Sequence, residues 1–339
     1  MFAVVDTQAA FATGVTDLST LVLNSLIGLA QSGSTSATVA CDSGSADLTL
    51  TDTNGNGIPS ATETVTVVAN GCAVEPGGLA FSGQLDLELR SFVVKSNTST
   101  KTKIRAEMPT QISVAGPAFT GTVSGAMEIN YLGDVLIQTL IVTSRFADRI
   151  ILVNASGETD TYADFTLSRQ LSAAQDLGTD LEYGLVSESL TGSVACTSTA
   201  SIEGALSSLP SEGATECTGA AASAVRTRGE LGGVIVVELD ESGSGTFVDA
   251  GTVAGGTGTW TDFYSSEFFS LVVSTPSVIP TQSTPTITAD DAAFDVNGAV
   301  ANPAGDTLYV SADDGLRAID IATLTESGFV ALAGTPGAL

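Results

Sequence analysis

The stretch QLDLELR places Leu85, Leu87 and Leu89 at alternate positions, with Asp86, Glu88 and Arg90 between them. Successive side chains of a strand point to opposite faces, so this spacing belongs to a strand with one buried and one wetted side. The same alternation returns between Ala37 and Thr275 in GTVSGAMEINYLG, DVLIQTLIVTSRF, IILVNASG, DTYADFTLSRQLS, SLTGSVACT and GGVIVVELD, with Gly, Ser, Asn and Asp between the runs. Such short connections imply hairpins rather than crossover helices. The expected fold is mainly β, an antiparallel meander arranged as a sandwich or a curved sheet.

Before this region the period changes. Between Gln8 and Gln31, Phe11, Val15, Leu18, Val22, Leu26 and Leu29 recur at three- and four-residue steps, which predicts one amphipathic helix packed by its stripe against the following sheet. After it, STPSVIPTQSTPT (Ser274 to Thr286) spaces three prolines through Ser and Thr and reads as an extended linker. The expected organisation is a helical segment over 1–32, a β domain over 33–273, the linker over 274–286 and a C-terminal β extension over 287–339.

The chain carries 38 acidic residues against 11 Lys plus Arg, a formal charge of -27, and has no His. That charge repels nucleic acid and anionic headgroups, so neither is an expected partner. Five of the basic residues, Arg90, Lys95, Lys101, Lys103 and Arg105, fall within sixteen positions. They read either as a Lys-guarded strand edge or as a patch for an acidic face of another copy. Without His there is no Ser-His-Asp or Cys-His machinery and no histidine-ligated metal. No pair of acids sits among the aromatic platforms common at sugar sites, so a non-enzyme is expected.

The four cysteines form two local pairs, Cys41 with Cys72 and Cys196 with Cys217, which favours disulfides over zinc and an exported, oxidising location. The first basic residue is Arg90 and Asp6 interrupts the early apolar run, so the N-terminal stretch reads as a mature or trimmed end rather than a secretory signal. No apolar run long enough for a spanning helix is expected.

One polar turn has metal-ligand spacing. Asp52, Asn54, Asn56, Gly57 and Glu63 match the calcium-loop pattern D-x-[DN]-x-[DN]-G-x5-E, with Ile58 supplying a carbonyl and Ser60 a further contact. Two carboxylates would make a weak site, Pro59 replaces the usual aliphatic residue, and the flanks are strand-like. The competing reading is a hairpin turn built on two Asn-Gly pairs. No cofactor is required; calcium is the one candidate. A second polar tip, DESGSG from Asp240, echoes DTNGNG from Asp52. The aromatic segment WTDFYSSEFF, with Trp260, Phe263, Tyr264, Phe268 and Phe269, is read as buried sheet, with an exposed binding patch as the alternative. Asn97 and Asn154 head sequons that matter only in a glycosylating host.

The segment ANPAGDTLYVSADDGLRAIDIATL resembles a single blade of YVTN-type β-propellers, with strands through Leu308 and Val310 and through Ile319 and Ile321. One blade cannot close a propeller. The Cys41 to Cys72 unit and VIVVELDESGSGTFVDAG resemble repeated-hairpin segments of uncharacterised acidic secreted or surface-anchored proteins of Gram-negative bacteria. That resemblance implies an exported surface protein and supplies no active site. The function expected from the sequence is a non-catalytic extracellular structural subunit that self-assembles into a filament or surface layer by exchange of strands or extensions. A monomeric calcium-dependent adhesin or ligand-binding module is the alternative.

Overall fold

A computed structural model describes residues 2–96, 99–116, 119–133, 137–172, 176–205, 210–230, 234–253, 296–301, 307–312, 315–320 and 325–331. The linker stretch, the aromatic segment, Asn97 and Ile321 lie outside the described residues. The chain divides into two compact units, Met1–Val278 and Ile279–Leu339.

The first unit opens with helix α1 (Phe2–Ser32) and continues as β1 (Ser36–Ala40), β2 (Ser43–Thr51), β3 (Thr64–Ala73), β4 (Ala80–Ser96) and β5 (Ser99–Ala115). Next come β6 (Gly121–Gly133), β7 (Ile137–Thr143), β8 (Arg149–Asn154), β9 (Thr159–Ser172) and β10 (Asp176–Ser187). The unit ends with β11 (Gly192–Ala205), β12 (Glu212–Thr218), β13 (Ala224–Glu230), β14 (Val234–Asp240) and β15 (Val248–Val253). All fifteen strands join one antiparallel sheet in chain order, except that β7 and β8 share one lane between β6 and β9. They are one strand interrupted at Ser144 to Asp148, where Phe146 stands 87 % exposed. The expected meander is therefore present, and its curvature replaces a second sheet.

Registration explains why alternation suffices to build it. Leu89, Ile104, Ile129, Val142, Leu167 and Leu181 face one another in turn across β4, β5, β6, β7, β9 and β10. All six are buried. A slip by one residue in any strand would turn its apolar set outward, so each register is held by its neighbours.

The inner face curls around α1. Phe11 stacks on Tyr162 of β9 at 4.5 Å and meets Tyr183 of β10 at 5.0 Å, while Ala10, Gly14 and Leu18 line an apolar cavity with Phe81, Val123 and Leu152 of β4, β6 and β8. Farther along, Gly28 lies against Val39 of β1. The helix was expected to bury one stripe; it buries the intervening faces too, including Thr16, Asp17, Ser19, Thr20, Leu21, Leu23 and Ser25. The reason is tertiary: a sheet that curls meets the helix from several sides. Leu79 N–H donates to Asp17 Oδ2 at 3.3 Å, and Tyr162 Oη donates to the Thr7 carbonyl at 3.0 Å. Ala10–Ser32 is long and apolar enough to cross a bilayer by length and composition, and most of it is buried within this unit.

Both disulfides expected from the cysteine spacing are formed. Cys41 to Cys72 reaches from the end of β1 across β2 to β3, and Cys196 to Cys217 joins directly opposed residues of β11 and β12. They agree with an oxidising, extracytoplasmic compartment.

The second unit is an antiparallel meander of β16 (Val296–Ala301), β17 (Thr307–Ala312), β18 (Gly315–Asp320) and β19 (Thr325–Ala331). Leu308 pairs with Ile319, and Val310 with Arg317.

Candidate functional site

The β2–β3 tip is organised by its two carboxylates. Asp52 Oδ1 accepts from Gly55 N–H at 2.6 Å and Oδ2 from Gly57 N–H at 2.8 Å. Gly55 and Gly57 hold φ of 75° and 69°, the left-handed region in which glycine carries no Cβ penalty. Asn54 Oδ1 accepts from Asn56 N–H, and Asn56 Oδ1 from Ile58 N–H. Asn54 Nδ2 donates to Ser60 Oγ at 2.8 Å. Across the loop, Glu63 Oε1 accepts from the Thr53 N–H and hydroxyl, and Oε2 from Ser60 N–H at 2.9 Å. Thr62 N–H donates to the Leu89 carbonyl and Leu89 N–H to the Glu63 carbonyl, fastening this end of the loop to β4.

These donors set the electrostatics. The Gly57 N–H leads a group of backbone donors that hold the Asp52 carboxyl below its ordinary range. Burial pushes Glu63 upward, but Ser60 and Thr53 outweigh it and the net shift is down. Both acids are therefore anionic turn anchors. The structure brings all six candidate ligands, Asp52, Asn54, Asn56, Ile58, Ser60 and Glu63, into one loop, and a turn that satisfies its own N–H groups accounts for the contacts of both carboxylates. Among the described residues, no group of three or more His, Cys, Asp or Glu side chains gathers as a metal site.

The β14–β15 tip repeats this plan. Asp240 Oδ2 accepts from Gly245 N–H at 2.6 Å, as Asp52 does from the glycine five residues on, and Oδ1 accepts from Ser242 and Ser244 N–H. Gly243 and Gly245 again have positive φ. Burial raises Asp240 and the Gly245, Ser244 and Ser242 donors more than offset it, leaving the carboxyl below its usual value. The short echo between the two tips thus corresponds to one Asp-centred turn built twice.

The basic cluster is largely consumed inside the sheet. Arg90 and Lys103 both reach Glu128, Arg105 reaches Glu107 and Asp148, and Arg90 also meets Glu88. Lys101 is exposed. The Asn154 amide is engaged in its own turn, accepting from Ser156 and Glu158 N–H and donating to Glu158.

Sequence reasoning did not single out Asp160, whose carboxyl is pushed up first by burial, partly countered by Ser187, and raised further by Glu158 and Glu188. Its position in an alternating strand gives no hint of this, because the neighbouring Glu188 comes from the next hairpin. It also missed the edges of the sheet as a feature. Among the described residues β1 pairs only with β2, and β15 only with β14. No protein-family model matches the chain, and comparison with curated proteins finds no significant similarity.

Proposed function

We propose that this chain is an exported, non-catalytic structural subunit that assembles with copies of itself through its sheet edges. The observation that carries the reading is the edge strand β1. Its sequence, Ser36-Ala37-Thr38-Val39-Ala40, contains no charge and no proline, and its free side has no described partner. Sheet edges in soluble proteins are ordinarily guarded by charge, proline, bulges or covering segments, because a bare row of N–H and C=O groups recruits another strand. At the opposite edge, β15 presents Val248 at 65 % exposure. Joining unlike edges head to tail is a heterologous contact, which need not close and so builds a filament.

The charge of -27 opposes this association at long range, so assembly should strengthen with salt. Sedimentation velocity and negative-stain microscopy of the full chain across a salt series test the reading. Growth of filaments or sheets as salt screens the repulsion, lost in a Thr38→Lys/Ala40→Lys variant that remains folded, is the expected result. A dispersed monomer throughout would refute it. The alternative, a calcium-dependent adhesive module, is favoured by the convergence of Asp52, Asn54, Asn56 and Glu63 in one loop, and saturable calcium-dependent binding by such a monomer would establish it.

A further inference from the structure

We infer that α1 is an exchangeable element, the helix of one copy filling the curled sheet of a neighbour; this rests on the self-assembly proposed above and names the contact that would lock it. Only Gly33, Ser34 and Thr35 separate α1 from β1. Gly33 holds φ of 60°, and its carbonyl lies 3.1 Å from where a Cβ at Gly57 would stand, so the hinge is folded tightly against the Asp52 turn. Tight, short hinges are where exchange of an element between copies arises, since opening the hinge lets the same interface form between chains.

The seating of α1 is specific but incomplete. Specificity comes from Phe11 against Tyr162 and Tyr183, from Tyr162 Oη on the Thr7 carbonyl, and from Leu79 N–H on Asp17. Near the hinge, a cavity of about 80 Å³ separates Leu21, Asn24 and Ser25 from Val39, Cys41 and Cys72. Asn24 Oδ1 and Ser25 Oγ have no hydrogen-bond partner there, and Gln8 Nε2 and Thr13 Oγ1 have none farther along. Unsatisfied groups of this kind weaken the hold on the helix and so ease its release. Once released, α1 needs an environment that accepts both its leucines and its buried Asp17, Thr16, Ser19 and Thr20. A bilayer core serves the first set and penalises the second. The interior of another copy serves both, because it offers the contacts already seen here.

Gly28 and Val39 give a direct test. A Cβ at position 28 would lie 3.6 Å from the Val39 Cβ, within the spacing of a disulfide. In the full chain carrying Gly28→Cys and Val39→Cys, assembled and monomeric fractions are oxidised, denatured and separated without reduction, and peptide mapping locates the bond between positions 28 and 39. Exchange predicts a ladder of covalent multimers from the assembled fraction and intramolecular bonds from the monomer. Assemblies containing only intramolecular bonds would overturn helix exchange while leaving self-assembly intact. A chain that never assembles would overturn both. A second variant covers the case in which the cysteine pair does not fold: a flexible Gly/Ser insertion between Ser34 and Thr35 relaxes the hinge and should raise the concentration needed for assembly at least tenfold. An unchanged threshold argues against the helix as connector.

Discussion

Two glycines of α1 give opposite signs for the same substitution. In a helix interior, Gly→Ala gains about 1 kcal/mol of propensity wherever it is made. At Gly14 a new Cβ meets no atom within 4 Å and faces the apolar cavity bounded by Phe81, Val123 and Leu152. Burying that methyl adds about 0.8 kcal/mol, so Gly14→Ala should stabilise by about 1 to 2 kcal/mol. At Gly28 the added Cβ would stand 2.5 Å from Val39 Cγ2, the branch of a stiff side chain held in β1. Overpacking of this kind costs about 1 to 3 kcal/mol, which cancels or exceeds the propensity gain. The two variants should thus differ by about 1 to 4 kcal/mol, read from urea unfolding followed by far-UV circular dichroism. In melting temperature this is about 2 °C per kcal/mol for a unit of this size. Equal stabilisation at both positions would refute the argument, since it would mean that propensity alone acts and that α1 does not lie inside the sheet against Val39.

Glu63→Gln replaces an acceptor of three hydrogen bonds by an amide that presents a donor to one of them, and should cost about 1 to 3 kcal/mol. If the loop binds calcium, millimolar calcium raises the melting temperature of the natural protein and not of this variant; the same rise in both places the ion elsewhere. Asp52, Glu63 and Asp240 all have carboxyl pKa values lowered from 3.8, 4.5 and 3.8, so the folded state binds fewer protons than the unfolded one as these groups titrate. Their contribution is complete above the unfolded values and is lost as pH falls through the lower folded ones. An Asp52→Asn/Asp240→Asn protein should therefore show a shallower fall in melting temperature below about pH 4, and a slope equal to that of the natural chain would count against the turn contacts. Opening the Cys196 to Cys217 bond, in a Cys196→Ser/Cys217→Ser protein, frees a loop with a sequence separation of 21 and should cost about 3 kcal/mol in chain entropy, checked by denaturant unfolding.

The turns were legible in the sequence because their causes are local. Asn-Gly and Ser-Gly pairs supply positive φ, an aspartate before them supplies the acceptor, and both lie within six residues at Asp52 and at Asp240. Glu63 was legible as a residue at ligand spacing but not as the buried anchor of Thr53 and Ser60, because that role depends on how the loop folds back beside β4. The basic cluster was ambiguous for a similar reason. Glu128 and Asp148, which neutralise much of it, come from β6 and from the break after β7, and no sequence spacing announces them.

By itself, then, the sequence determined the two periods, the places where one gives way to the other, the turn chemistry and the local pairing of the cysteines. These depend on backbone geometry and on neighbours a few residues away. Only the tertiary structure decided that β7 and β8 share a lane, that the sheet curls instead of pairing with a second one, and that α1 is enclosed with Asp17 and Ser25 inside. A stripe of leucines records one apolar neighbour, whereas enclosure requires several strands to meet the helix from different directions. That condition belongs to the accumulated curvature of the whole sheet, to which every strand contributes a little and no single strand carries a signature.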